Sequence, residues 1–238
     1  MSDHGKLIGI SVGPGDPGLI TVKGLDALRD CHVLFVPQAK GSDFSVAKSI
    51  VDRFEIEESK FRPIFFEMDR SRQGLAERYA DLAEQISTEI EKGHVVGYLT
   101  LGDAMTYSTW IYTIEAVKNV GPNIEVGTIP GVTSFSAVAA ASNWPLGEQK
   151  ERMLILPCPD EPEELRKVIE THDVVVLMKI GKRMPGVLQI LGEMGILKHC
   201  ALGHKVGMPG GEVWSSLGEG TPPDEQGYFS TMLIRKSP

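Results

Sequence analysis

Cysteine is scarce in this sequence: Cys31, Cys158 and Cys200 are the three in 238 residues, far apart and odd in number. Such spacing offers no zinc site and fits a reducing compartment, so a cytoplasmic location is expected. No apolar run approaches the length of a membrane span, and Met1 to Lys6 is polar where a signal peptide would be apolar. No membrane partner is expected. A basic excess is missing as well: 24 Lys and Arg stand against 32 Asp and Glu, a formal net charge of −8. Phosphate-binding surfaces carry the opposite balance, which argues against nucleic acid as a partner. There is no internal repeat and no low-complexity segment. What remains, 42% hydrophobic and 24% charged residues, is the composition of an ordinary globular protein with one large core or two modest ones.

Apolar runs alternate with helical patterns through the first half. Lys6 to Val12 reads as a strand, a helix follows Thr21, and His32 to Val36 reads as a second strand stopped by Pro37. Asp43 is placed to cap a helix carrying Val46, Ile50 and Phe54. Phe61 to Phe66 contains Pro63, which suits an edge strand. Leu75, Tyr79, Leu82, Ile86 and Ile90 recur at steps of three and four and predict a helix closed by Gly93. His94 to Leu101 then reads as a buried strand, with a turn at Gly102-Asp103 and a helix through Ile114 and Val117. Strands separated by helices pair in parallel, because each crossover has room for a helix.

The pattern loosens between Gly121 and Gly131, and a second set of elements starts at Arg152. Its strands are read at Met153 to Leu156, Asp173 to Ile180, Ala201 to Val206, Glu212 to Ser216 and Tyr228 to Arg235, the last two as an antiparallel pair. The fold class expected is α/β, in two α/β domains, 1–126 and 127–238, with a ligand cleft between them.

Gly13-Pro14-Gly15-Asp16-Pro17-Gly18 matches G-x-G-x-x-G directly after the first strand. A dinucleotide site works by aiming backbone N–H groups and a helix N-terminus at a pyrophosphate. Here Pro14 and Pro17 remove two donors, and Asp16 puts a carboxylate where the phosphates would lie. The match is therefore not read as a dinucleotide site. Asp16 either meets a hydroxyl, ammonium or cationic ligand at the carboxyl edge of the sheet, or caps the segment that follows. Two similar turns recur: Leu101 to Thr109 places Gly102 and Asp103 at a strand end beside hydroxyls, and Pro130 to Ser134 leads into the small residues Ala137 to Ser142.

Taken together, the segments ISVGPGDPGLITVKGLDAL, YLTLGDAMTYST, IPGVTSFSAVAA and VVVLMKIG resemble the tetrapyrrole (corrin and porphyrin) methylase family, over nearly the whole chain. With YST after the Gly-Asp pair and KVGMPGGEVW later, the chain is most similar to members that methylate carbon 20 of precorrin-2 or its cobalt form. The resemblance implies a methyltransferase that takes S-adenosylmethionine as methyl donor and a tetrapyrrole as substrate, and that forms a homodimer. It implies cofactor contacts at Pro14, Gly102, Asp103, Ala104, Thr133, Ser134, Met178 and Gly207. One departure is that the family commonly has proline where Ala104 stands, so this chain has an extra N–H donor in the turn.

Methyl transfer needs alignment and exclusion of water more than a strong catalyst. If a base assists loss of the ring proton, Asp103 or Asp16 would supply it, though a binding role is the favoured reading of both. The substrate is a polycarboxylate, for which Arg62, Lys179 and Arg183 are the candidate contacts, with Arg70, Arg72 and Lys182 beside them. Tyr98 and Tyr107 would orient the ring or pack against it. His94, His172 and His204 have no metal-ligand spacing, and no metal is expected. Two other readings are a sibling methylase acting elsewhere on the ring and a non-catalytic tetrapyrrole carrier.

Overall fold

The computed structural model describes residues 5–39, 45–66, 72–220, 222, 227 and 229–236. The chain divides into two compact units, Met1–Thr133 and Ser134–Pro238. The first contains β1 (Lys6–Ser11), α1 (Val22–Asp30), β2 (Val33–Ala39), α2 (Val46–Val51), β3 (Phe61–Phe66), α3 (Arg72–Glu91), β4 (Val95–Thr100), α4 (Trp110–Val120) and β5 (Val126–Ile129). Its five strands form one parallel sheet in the order β3-β2-β4-β1-β5. Helices cover both faces, which is why β1 and β4 are apolar almost throughout instead of alternating.

On one face Ile10, Leu28, Leu34, Ile50 and Leu99 pack with α1 and α2. On the other Leu7, Tyr79, Leu82, Ile86, Tyr98 and Trp110 pack with α3 and α4. The periodic residues of α3 thus face the sheet, and Gly93, at φ +82°, ends the helix as expected. Trp110 fills the space above Gly9, where a Cβ would lie 2.3 Å from the indole. Its Nε1–H donates to Thr128 Oγ1 at 2.9 Å.

Four sequence expectations are corrected. Pro37 does not stop β2, which runs on to Ala39. Pairing with β4 ends at Phe35, so at Pro37 only the β3 side of the strand is paired, and a proline fits there. Ser45 caps α2, its Oγ accepting from Lys48 N, while Asp43 lies outside the described residues. The loosened stretch after Gly121 contains β5, paired to β1, so residue 126 begins a strand of the first sheet. The fourth concerns the last strands, in the second unit.

That unit contains α5 (Ser134–Ser142), β6 (Met153–Pro157), α6 (Pro162–Thr171), β7 (Val174–Met178), α7 (Met184–Glu193), β8 (Cys200–His204), β9 (Glu212–Trp214) and β10 (Ser230–Arg235). The sheet order is β6-β7-β10-β8-β9, with β6 and β7 parallel and the other pairings antiparallel. β9 and β10 do not pair with each other: both pair with β8, which is buried throughout. Tyr228, the expected start of the last strand, lies outside the described residues.

The small residues of α5 let it lie close on this sheet. A Cβ at Gly203 would sit 2.4 Å from a Val138 methyl. Trp144 and Trp214 pack against the two clusters of this unit, and the Arg235 guanidinium lies 5.1 Å from the Trp144 ring centre. No described helix is long and apolar enough to cross a membrane.

Candidate active site

In the first sheet β4, β1 and β5 are neighbours, so the turns at their carboxyl ends meet side by side. This is the edge where open parallel sheets bind ligands. The first two turns are joined through glycines in the left-handed region, Gly13 at φ +79° and Gly102 at φ +73°. Each donates its N–H to the other's carbonyl, Gly102 to Gly13 at 2.8 Å and Gly13 to Gly102 at 3.3 Å. A Cβ on Gly13 would press on the Leu19 carbonyl, whereas nothing lies within 4 Å of the Cβ position of Gly102. Gly102 therefore offers open backbone that a ligand can approach closely.

Asp103 joins the second turn to the third. Its Oδ1 accepts from Met105 N at 3.0 Å and Thr106 Oγ1 at 3.1 Å, and its Oδ2 accepts from Gly131 N at 3.0 Å. Three donors fix the orientation of this carboxylate. Ala104 is fully buried, and its N–H, absent from a proline, donates to Ser11 Oγ at 2.9 Å. Its carbonyl accepts from Ser108 Oγ at 2.5 Å. A Cβ on Gly131 would lie 2.5 Å from Ser11 Cβ and 2.6 Å from the Gly102 carbonyl, so the third turn rests directly on the other two.

Asp16 takes the capping option: its Oδ1 accepts from Gly18 N at 2.7 Å, at the start of a 3-10 turn over Pro17–Leu19. Pro14 is buried in the same loop. Tyr98 is buried in the core, with its hydroxyl 2.8 Å from Thr109 Oγ1. Burial pushes its phenol up to about 12, against the opposing effect of the Thr109 hydrogen bond. Tyr107 instead is 41% exposed on the second turn, at φ +52°. Arg62 is not brought to the turns: it lies two strands from β4, level with Tyr98, and donates to the Ser59 and Phe61 carbonyls. Arg70 lies outside the described residues.

In the second unit Ser134 Oγ lies 3.0 Å from Thr231 Oγ1, at the start of β10. Met178, half-buried at the end of β7, belongs to the cluster of Val138, Val176 and Leu233, which α5 covers. Gly207 has φ +79° in the turn after β8. Lys179 is exposed at φ +54°. The Arg183 guanidinium is engaged by Asp160 at 2.7 Å and by the Lys179 carbonyl at 3.2 Å. His204 is buried, with its Nδ1 3.1 Å from Ser230 Oγ. Among the described residues no group of three His, Cys, Asp or Glu side chains is placed to hold a metal ion.

Sequence reading missed Ser11 and Thr231. The available signal for each was a hydroxyl residue at the end of a strand, Ser11 at the carboxyl end of β1 and Thr231 at the start of β10.

A five-stranded parallel sheet with glycine turns at adjacent strand ends, followed by a mixed five-stranded sheet, defines the class, and comparison with known proteins gives the family. The model of the Tetrapyrrole (Corrin/Porphyrin) Methylases matches residues 6–220. The chain belongs to that family. It is 32% identical to the cobalt-precorrin-2 C(20)-methyltransferase of Salmonella typhimurium, over 98% of this chain and 97% of that protein. It is 27% identical to the precorrin-2 C(20)-methyltransferase of a Sinorhizobium species, over 97% and 95% of the two chains. Among solved structures, a cobalt precorrin-4 methyltransferase superposes with a TM-score of 0.71 at 19% identity, covering 98% of this chain and 96% of the other. That likeness shows the fold alone.

Proposed function

We propose that this protein transfers a methyl group from S-adenosylmethionine to carbon 20 of a reduced tetrapyrrole, precorrin-2 or its cobalt-loaded counterpart, in cobalamin biosynthesis. The observation that carries the reading is the near full-length similarity to methyltransferases named for that carbon. The turn chemistry fits the same donor. Proline at positions 14 and 17 and a carboxylate at Asp16 suit a sulfonium amino acid better than a pyrophosphate. The open backbone at Gly102 has room for it.

When bound, S-adenosylmethionine supplies a methyl group already activated by its sulfonium. Gly102, Asp103 and Ala104 are assigned to its methionine part, with Pro14 beside them and Thr133 and Ser134 near it. Met178 and Gly207 are assigned to the adenine or ribose. Asp103 holds the turns in place rather than abstracting a proton, since three hydrogen-bond donors already occupy it. Asp16, engaged with Gly18, has the same kind of local role. Tyr107 and Lys179, both exposed, are assigned to the ring and its carboxylates. Carbon 20 gains the methyl as the S–C bond breaks and S-adenosylhomocysteine leaves, and the ring proton is released to water. The reading includes a homodimer and a cytoplasmic location, the latter supported by three buried, unpaired thiols.

The test is anaerobic incubation with S-adenosylmethionine and either metal-free or cobalt-loaded precorrin-2, followed by product mass and NMR assignment of the new methyl. One methyl at carbon 20 is expected, and the substrate that accepts it identifies the aerobic or anaerobic route. No added methyl on either ring, with both ligands bound, would overturn the assignment in favour of a carrier. A methyl on another carbon would make the chain a sibling methylase.

A further inference from the structure

We infer that Ser11 is a positioning residue that sets how far the Gly102–Ala104 segment stands from β1, and through it the grip on the methyl donor. The inference rests on the assignment of that segment to S-adenosylmethionine.

Leu7, Gly9 and Ser11 of β1 point to the α3/α4 face. Gly9 lies under Trp110, and Ser11 is the next residue on that face, at the strand end. A wholly buried serine hydroxyl needs a partner. Ser11 finds one 93 positions away in Ala104 N–H, itself wholly buried. Thr100, paired in register with Ser11 on β4, also has a buried hydroxyl, yet its Oγ1 has no hydrogen-bond partner among the described residues. Of two hydroxyls side by side at the rim, the turn is therefore tied to the one on β1.

Ser11 also supports the third turn, since its Cβ lies against the site where Gly131 has none. Among the described residues the other hydrogen bonds between the first two turns are the backbone bonds of Gly13 and Gly102, which do not depend on a side chain. The Ser11 hydroxyl is the side-chain tie from β1 to residue 104, and it can be deleted alone. Without it the Ala104 N–H is left unpaired, and the segment gains freedom at the point where it meets the donor.

The test compares Ser11→Ala and Ser11→Cys with Thr113→Val in the full-length protein. Thr113 is equally buried and donates its hydroxyl to the carbonyl of Thr109, the residue that caps α4, so it controls for loss of a buried hydroxyl near the same turn without the tie to residue 104. S-adenosylmethionine affinity is measured by calorimetry, KM and kcat by steady-state assay, and thermal midpoints alongside.

Ser11→Ala is expected to weaken donor binding about tenfold, the scale of one buried donor left unpaired, and to raise KM for the donor more than it lowers kcat. Ser11→Cys, which keeps a weak acceptor, should fall between. Thr113→Val should lower the midpoint and leave donor affinity unchanged. The inference is overturned if Ser11→Ala binds the donor like the parent protein, or if Thr113→Val weakens binding as much. Should Ser11→Ala not fold, unchanged affinity in Ser11→Cys overturns it equally. A parent protein that binds no S-adenosylmethionine would instead sink the functional assignment beneath it.

Discussion

Asp103 Oδ2 accepts the Gly131 N–H at 3.0 Å, linking the turns after β4 and β5 across β1, the strand that lies between them. Its other oxygen holds Met105 N and Thr106 Oγ1. An asparagine cannot reproduce this, because its NH2 must face either the Gly131 or the Met105 N–H, donor against donor. Asp103→Asn is expected to destabilise the fold by about 1–3 kcal/mol and to weaken S-adenosylmethionine binding in the same variant. Urea unfolding and calorimetry check both. A variant with parental stability and donor affinity but no turnover would instead make Asp103 a proton acceptor.

Gly102 and Gly131 should respond to alanine in opposite ways. Gly102 has a left-handed φ but empty space at its Cβ, so Gly102→Ala should carry backbone strain of about 1–2 kcal/mol and still fold. The new methyl would occupy the space assigned to the donor, and donor affinity should fall well beyond the loss of stability. A Cβ at Gly131 would lie 2.5 Å from Ser11 Cβ and 2.6 Å from the Gly102 carbonyl, with little freedom for either to move. Gly131→Ala is expected to be the more destabilising of the two. Thermal midpoints in the reverse order would show that the three turns are not packed as described.

What the sequence made legible were features carried by local pattern. The period of Leu75, Tyr79, Leu82, Ile86 and Ile90 marks α3 because one face of a helix must meet the core. The glycine and aspartate turns are visible because few residues tolerate φ near +75°. The missed features depend on partners distant in the chain. β5 is four residues with no amphipathic signature, and it is a strand because β1 offers it an edge. Pro37 sits within β2 because pairing to β4 has already ended. The link from Ser11 to Ala104 spans 93 positions, and no local periodicity encodes it. Arg62 is a carboxylate contact by residue type alone, whereas its place two strands from β4 and its bonds to the Ser59 and Phe61 carbonyls depend on sheet order, which no local pattern shows.

Gly9 and Trp110 form a coupled pair beneath the second turn. Gly9→Ala would place a methyl 2.3 Å from the indole and is expected to cost about 1–3 kcal/mol through overpacking. Trp110→Phe loses the bond to Thr128 and part of the buried ring, yet it opens the space that the alanine needs. The double variant should therefore be more stable than the sum of the two single losses, as expected for residues in contact. Urea unfolding of the four proteins measures the coupling, and strict additivity would mean that the two side chains do not meet.

At the edge of the first sheet opposite the turns, a cluster around Glu89 makes stability sensitive to acid. Glu89 lies 2.7 Å from Lys92 Nζ and 2.7 Å from His94 Nδ1, and His94 stacks on His32 with ring centres 5.0 Å apart. Hydrogen bonds from Lys92, then from His94, hold the Glu89 carboxyl below its ordinary value of 4.5. A carboxyl with a depressed folded-state pKa stabilises the protein fully above its unfolded value, and the contribution disappears as pH falls through the folded one. The stability difference between the parent protein and Glu89→Gln should thus shrink as pH falls below about 4.5. Because the group is partly exposed, salt should reduce the difference at every pH. Urea midpoints over a pH series test this, with turnover unaffected because the cluster is remote from Gly102 and Asp103. Parallel curves for the two proteins down to the acid limit would mean that the carboxylate gains nothing from Lys92 and His94.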